Sequence, residues 1–315
     1  MVIKRKKYVE GRMKEFHKYI KKRNHAFEYK HKLSTYGIPY YEMRLRNYPN
    51  NLKYLDTMSQ WFIRYLNQSV ASRRDKILTV FIYRFVGDKY LCRLMSNRNY
   101  VFSMQEVEKL ARKLNKRREP LNNKYPVMIN RRSKTKLNKG DALRVAVEDF
   151  LCKLPDDMFY NWTISKIYWY LMSSDLACMT DFLNYQLASD LSFINELSIN
   201  IDLPTYVPKL VKDTYKEVTG KSTFDTRDWA LFVYDTMHWY RSQNFASNKQ
   251  RIIMPYDVAN MLLGFRLYTS EMGYSGVNKY RNYPRIKAYR VDDLVISRSM
   301  YDYYKEKHLH NKVNR

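Results

Sequence analysis

The chain has 315 residues, and its 57 lysines and arginines against 31 aspartates and glutamates give a formal net charge of +26 at pH 7. That excess needs a polyanion to neutralise it, and nucleic acid is the commonest one, although an anionic membrane surface would also serve. The three cysteines lie far apart, which argues against a disulfide framework. With only 8 glycines and 9 prolines, the composition predicts an all-α protein: one helical domain over residues 1–315, or two helical lobes.

The first predicted element is a basic helix over Lys4–Lys32 with a sparse apolar face. Its opposite face carries almost only lysine and arginine. A solvated helix surface has such a composition, but a face of one sign also suits a phosphate backbone, and we predict DNA contacts by Lys21, Lys22 and Arg23. No run of about 18 apolar residues follows, so we expect an intracellular protein, in the host cytoplasm if viral, with no membrane partner.

Two helices are predicted next, over Tyr54–Asn67 and Asp75–Leu94. The second has a broad apolar face made of residues such as Ile77 and Phe81, and Arg84 lies beside that face. Arg84 is either a residue at the edge of the core that extends its charged end to solvent or a clamp for an anion.

A helix over Met104–Leu114 leads into a basic loop at residues 115–139, which is broken by prolines and rich in asparagine. This length is unusual for a structureless connection in a compact domain. The loop is either a DNA-binding segment that its ligand orders or a flexible solubilising segment. In the first case its contacts are Arg117, Arg118, Arg131 and Arg132.

A helix over Asp141–Leu151, with Asp141 as its cap, precedes a short helix–turn–helix pair over Ser165–Ser173 and Met179–Leu197. The second helix of the pair contains DFLNYQLASDL, in which apolar residues recur at helical spacing with Gln186 and Asp190 among them. Two interpretations stay open. Either the polar side chains bridge neighbouring helices in a core, or they face a substrate, because a buried polar group without a partner costs on the order of 1–3 kcal/mol.

Further helices are predicted over Leu210–Val218, Arg227–Tyr240, Tyr256–Met272 and Asp292–Lys307. A glycine-containing turn, GYSG, follows the third of them and precedes Lys279 and Arg281. This turn is either a helix C-cap or an anion site held by those two cations. The histidines lack the cysteine and carboxylate partners of a zinc site, so we expect no metal and no cofactor.

Several of these segments, in order, resemble one family. FLNYQLASDL is similar to the FxAYQxxxDL signature of the helical domain in phage 5-hydroxymethyluracil DNA kinases and related glycosylase-like amino acid:DNA transferases and pyrophosphorylases of thymine hypermodification. FHKYIKKRNHAFEYKHKLSTYGIP, LDTMSQWFIRYL, ILTVFIYRF and DVANMLLGFRLY also resemble this family. The chain departs from it at Ala259, Asn260 and Gly264, where the family has Glu, His and Glu, and at Ala177-Cys178-Met179-Thr180, where the family has a glycine-rich hairpin.

The resemblance implies an all-α fold related to helix-hairpin-helix DNA glycosylases and a base that leaves the duplex stack. It implies Asp190, Gln186 and Arg84 as catalytic residues, with Asp190 taking or orienting the proton of the nucleophile and Arg84 holding a departing phosphate. It also implies substrate contacts by a second set of residues: Tyr185, Asp56, Asp257, Phe265 and Tyr268.

Two functions are therefore expected. The first is a phage enzyme that transfers an amine or amino acid onto activated 5-hydroxymethyluracil in double-stranded DNA. The second is a DNA-binding protein that has lost catalysis on the same scaffold. The charge suits both functions, the retained Asp and Gln favour the enzyme, and the replaced Glu and His favour the binding protein.

Overall fold

The chain is all-α, as its composition predicts, in a computed structural model that describes residues 2–30, 51–87, 101–116, 137–203, 205–244, 252–271 and 295–313. Among these residues there is no strand, and the single β-bridge joins Thr163 to Asn200. None of the described helices is long and apolar enough to cross a membrane. The predicted basic loop at 115–139, apart from its ends, and the turn after Glu271 lie outside the described residues.

The chain divides into two compact units, and the first consists of residues 1–57 and 203–294. Its helices are α1 (Val2–Lys30), α8 (Lys209–Thr219), α9 (Thr226–Ser242) and α10 (Pro255–Glu271). Helix α10 packs against the other three, and α8 also packs against α1.

Aromatic rings fill the core of unit 1. The ring of Phe16 on α1 lies 6.0 Å from that of Phe232 on α9 and 5.5 Å from that of Phe265 on α10. Helix α9 begins where Asp225 accepts hydrogen bonds from the backbone amides of Arg227 and Asp228, and α8 ends at Gly220, which has a left-handed φ of 69°. Local capping therefore delimits the elements, and ring packing holds them together.

Unit 2 consists of residues 58–202 and 295–315. Helix α2 (Thr57–Trp61) runs directly into a π-helical turn, Phe62–Leu66. The other helices are α3 (Arg73–Val86), α4 (Met104–Asn115), α5 (Lys139–Cys152), α6 (Ile164–Ser173), α7 (Asp181–Leu191) and α11 (Arg298–Val313). Helix α3 packs against α5 and α7, α4 packs against α5, and α6 packs against α7.

Four predicted boundaries were wrong for local reasons. The predicted helix Tyr54–Asn67 is instead a 3-10 turn at Lys53–Leu55 followed by α2 and the π-helical turn. Helix α3 ends at Val86, before the predicted Leu94, because Gly87 adopts a left-handed φ of 49°.

The cap of α5 is Asn138, whose Oδ1 accepts a hydrogen bond of 2.8 Å from the amide of Asp141. Asp141 is therefore inside the helix, and it forms an ion pair of 2.7 Å with Arg144. The predicted helix Met179–Leu197 is α7, capped by Thr180, followed by a separate 3-10 turn at Asn195–Leu197.

Candidate functional site

Helix α7 carries three of the predicted site residues, and it is buried on all sides. Every residue from Phe182 to Leu191 is buried, including Tyr185, Gln186 and Asp190. The helix begins where the Thr180 hydroxyl accepts a hydrogen bond of 3.2 Å from the amide of Leu183. A helix enclosed on all sides belongs to a core, so its polar side chains need partners within the protein.

Asp190 has such a partner in Arg84. The Nε of Arg84, on α3, donates to Oδ2 of Asp190, which has an exposed fraction of 0 %, while that of the Arg84 side chain is 12 %. The guanidinium carbon also lies 5.1 Å from the centre of the Tyr83 ring. The two predicted catalytic residues are thus brought together as an ion pair where α3 packs against α7.

Tyr185 packs edge-on against Tyr168 of α6, with their ring centres 5.3 Å apart. The hydroxyl of Tyr168 donates a hydrogen bond to Asp181. Burial and this hydrogen bond raise the pKa of Tyr168 above its ordinary value. Sequence reasoning missed Tyr168 and Asp181, although each lies on one of the two helices that it paired.

The connection between α6 and α7 replaces the glycine-rich hairpin that the resemblance implies. Asp175 and Cys178 adopt left-handed φ values of 46° and 62°, a conformation that glycine adopts most easily. The amide of Ala177 donates a hydrogen bond of 2.6 Å to Asp149. This amide is therefore occupied by a carboxylate of the protein itself.

In unit 1, Asp257 is also fully buried, and both its oxygens accept hydrogen bonds from backbone amides. Oδ1 accepts from Lys53 at 2.7 Å and Oδ2 accepts from Met254 at 2.9 Å. Burial is the main cause that raises the pKa of Asp257 to about 7, and the charge of Asp56 acts in the same direction, while the two hydrogen bonds and the charge of Lys53 oppose the rise. The predicted residues Asp56 and Asp257 therefore lie close together, and Asp257 joins the 3-10 turn to the start of α10.

Phe265 and Tyr268, also on α10, pack against Tyr19 of α1. The ring centres lie 5.9 Å and 5.3 Å from that of Tyr19. The Tyr19 hydroxyl lies so close to Gly264 that a Cβ at this position would collide with it. The tyrosine therefore occupies the space that a side chain at position 264 would need. Ala259 and Asn260, on the same helix, are buried.

A buried polar cluster next to α1 was missed by the sequence analysis. The Nδ2 of Asn51 donates to the carbonyl of Ile20 at 2.9 Å and to Oδ1 of Asn24 at 3.0 Å, and the Tyr240 hydroxyl donates to the same Oδ1 at 3.0 Å. Burial raises the pKa of Tyr240 well above its ordinary value, and Arg23 opposes this rise. Single asparagines in a basic stretch give no signal of such a cluster.

The predicted DNA contacts on α1 differ in their exposure. Lys21 is exposed and its Nζ lies 5.8 Å from the centre of the Trp239 ring, which stacks on His17 with ring centres 3.9 Å apart. Lys22 is partly exposed, whereas Arg23 is buried. Burial and Lys21 lower the pKa of His17 to about 4, so it is neutral at pH 7.

The remaining predicted DNA contacts lie outside the described residues: Arg117, Arg118, Arg131, Arg132, Lys279 and Arg281. Among the residues that the structure describes, no group of three or more His, Cys, Asp or Glu side chains could hold a metal ion. Comparison of the chain with family models, curated proteins and solved structures gives no match.

Proposed function

We propose that the protein is a DNA-binding enzyme of base hypermodification, which transfers an amine or amino acid onto activated 5-hydroxymethyluracil in DNA. The α6–α7 pair would be the helical hairpin of its glycosylase-like scaffold. The observation that carries the proposal is the buried Arg84–Asp190 ion pair where α3 packs against α7. Replacing such a pair by apolar residues is often neutral or stabilising, so the pair is better explained by chemistry than by stability.

In the proposed reaction, the amine nitrogen attacks the carbon attached to C5 of the base. A C–N bond forms, the C–O bond breaks, and the phosphate or pyrophosphate group leaves with the electron pair. The attacking nitrogen then loses a proton. Arg84 binds the leaving group, which competes with Asp190 for the guanidinium, and the carboxylate released from the pair accepts the proton.

Nucleoside mass spectrometry tests this proposal directly. DNA that carries phosphorylated 5-hydroxymethyluracil is incubated with the protein and a pool of amines, and a new nucleoside is expected. Asp190→Asn should abolish the product and leave DNA binding unchanged. Glu108→Gln, which changes a surface ion pair with Arg144, is the control and should retain activity. No new nucleoside from the wild-type protein would contradict the enzyme.

The second candidate is a DNA-binding protein without catalysis. The burial of Asp190 and Gln186 favours it, because no part of the Asp190 carboxylate is exposed to a substrate in this conformation. Both functions require binding that weakens steeply with salt, since cations released from the phosphate backbone provide the affinity. Equal affinity for DNA at low and moderate salt would contradict both functions, and binding without a product would select the second.

A further inference from the structure

Arg64, in the π-helical turn after α2, is a cation with no counter-charge among the residues that the structure describes. Within that part of the chain its Nε and Nη2 have essentially no solvent-exposed surface and no hydrogen-bond partner, although the side chain as a whole is only partly buried. An uncompensated guanidinium nitrogen out of water is costly, so an anion is the partner that its chemistry calls for. π-Helical turns also occur frequently at functional sites.

Contacts on either side of Arg64 show which segment it faces. One helical turn earlier, Gln60 makes two hydrogen bonds to the backbone of Val295, donating at 2.8 Å and accepting at 3.0 Å. Three residues later, Asn67 accepts a hydrogen bond of 2.8 Å from the amide of Asn195, whose side chain in turn accepts from the amide of Arg298 at 2.8 Å. Since Gln60, Arg64 and Asn67 share one helix face, Arg64 lies alongside the start of α11.

A second unsatisfied group stands at that helix start. Ser299, the second residue of α11, is 5 % exposed, and its hydroxyl has no hydrogen-bond partner. The neighbouring amides are occupied, because that of Arg298 donates to Asn195 and that of Met300 donates to the Ser297 hydroxyl at 3.4 Å. These amides are not available to a ligand, but the aligned peptide dipoles of a 16-residue helix still place partial positive charge at its N-terminal end, which favours an anion here.

We propose that Arg64, Ser299 and the first turn of α11 form a binding site for one phosphate group. The guanidinium supplies charge and directed donors, and the hydroxyl supplies a further donor. The phosphate is either one unit of a DNA backbone or a free inorganic anion. This proposal does not depend on the proposed transfer reaction.

Thermal unfolding of the full chain in inorganic phosphate, against sodium chloride of equal ionic strength, tests the site. We expect phosphate at ten times its Kd to raise the Tm by about 3 °C. In Arg64→Gln this rise should disappear, while the Tm in chloride stays equal to or above that of the wild type, because an uncompensated cation has been removed. If Arg64 had a purely structural role, Arg64→Gln would instead lower the Tm in chloride.

Ser299→Ala provides an independent variant and should weaken the effect of phosphate. Arg112→Gln is the matched control, since this arginine is exposed on α4, which packs against α5, and it should retain the full rise. A rise that persists in both Arg64→Gln and Ser299→Ala, or no rise in the wild type, would overturn the proposal. Either result leaves the transfer reaction untouched.

DNA-binding measurements distinguish the two sources of phosphate. If a backbone phosphate occupies the site, Arg64→Gln reduces the dependence of log Kd on log salt by about one unit. If a free anion occupies the site, Arg64→Gln leaves the salt dependence of DNA binding unchanged and still abolishes the rise in Tm that phosphate causes.

Discussion

Among the described residues, each unit of this protein buries one carboxyl group completely, and the two groups are held differently. Asp190, in unit 2, faces the guanidinium of Arg84. Asp257, in unit 1, faces the backbone amides of Lys53 and Met254. The first carboxylate is hydrogen-bonded to a cation, whereas the second is hydrogen-bonded to two backbone amides, and burial raises its pKa to about 7 in spite of the nearby charge of Lys53. A side-chain partner can be exchanged for a substrate, whereas backbone amides hold a segment of the chain in place.

That difference assigns separate roles to residues that the sequence analysis grouped together. Asp257 connects the 3-10 turn at Lys53–Leu55 with the start of α10, so its contribution is to the fold of unit 1. Asp190 connects two helices through an ion pair between side chains. The functional hypothesis therefore rests on Asp190 and Arg84.

The largest expected effect tests how strongly the ion pair is coupled. Arg84→Met leaves Asp190 buried without its cation and should lower the free energy of unfolding by about 3–5 kcal/mol in urea titrations. The double variant Arg84→Met, Asp190→Leu removes both charges and should recover most of that loss. A double variant as unstable as the single one would show that the pair is required for the fold.

A smaller effect is expected at Asp257, and it depends on pH. Because the pKa of the folded state, about 7, lies above the ordinary 3.8, the contribution of Asp257 to stability is complete below about pH 4 and is lost as pH rises through 7. Asp257→Asn should be less stable than the wild type at pH 5, since an amide group now faces a backbone donor. The difference should narrow by pH 8, as measured by urea titration at both values.

If the wild-type protein and Asp257→Asn both have the same free energy of unfolding at pH 5 and at pH 8, Asp257 does not contribute to the pH dependence of stability. That result would contradict the raised pKa of Asp257. Glu15→Gln is a suitable control, because this carboxylate is exposed at the surface beside Arg12 and its replacement should leave the difference between pH 5 and pH 8 unchanged.

The smallest effect concerns the contact between α1 and α10. Gly264→Ala places a methyl group against the Tyr19 hydroxyl and should destabilise the protein by about 1–3 kcal/mol. Tyr19→Phe removes the nearest atom, so the same substitution should cost less in that background. Thermal unfolding measures the stability lost on Gly264→Ala in the wild type and in Tyr19→Phe. Equal losses would show that the Tyr19 hydroxyl is not the atom that limits the size of residue 264.

The sequence predicted the helices well where local signals exist. The segment DFLNYQLASDL, picked out by its spacing, is helical and coincides with α7, although the helix predicted around it, Met179–Leu197, was too long at both ends. Its apolar residues at helical spacing are a local property that periodicity detects, whereas the cap at Thr180 was not predicted. The all-α class follows from the same signals and from the scarcity of glycine and proline.

The partners of the site residues could not be predicted, because spacing tells which side chains share a face and not what lies opposite. Arg84 and Asp190 are 106 residues apart, and nothing in either segment specifies their pairing. The collision that explains Gly264 likewise depends on Tyr19 from a distant helix. Arg23 was also mispredicted, because a charged residue in a basic stretch is expected at the surface, whereas this side chain is buried.

The hydrogen bond between Lys53 and Asp257 joins positions 204 residues apart in a unit built from two separate chain segments. During synthesis at about 5–20 residues per second, the first segment waits roughly 10–40 s for the second to leave the ribosome. Throughout that interval the apolar face of α1, with Phe16 and Ile20, lacks the helices that cover it in the finished protein. The many lysines and arginines of that helix repel one another between neighbouring chains, so we expect the charge to oppose aggregation of the uncovered apolar face during this interval.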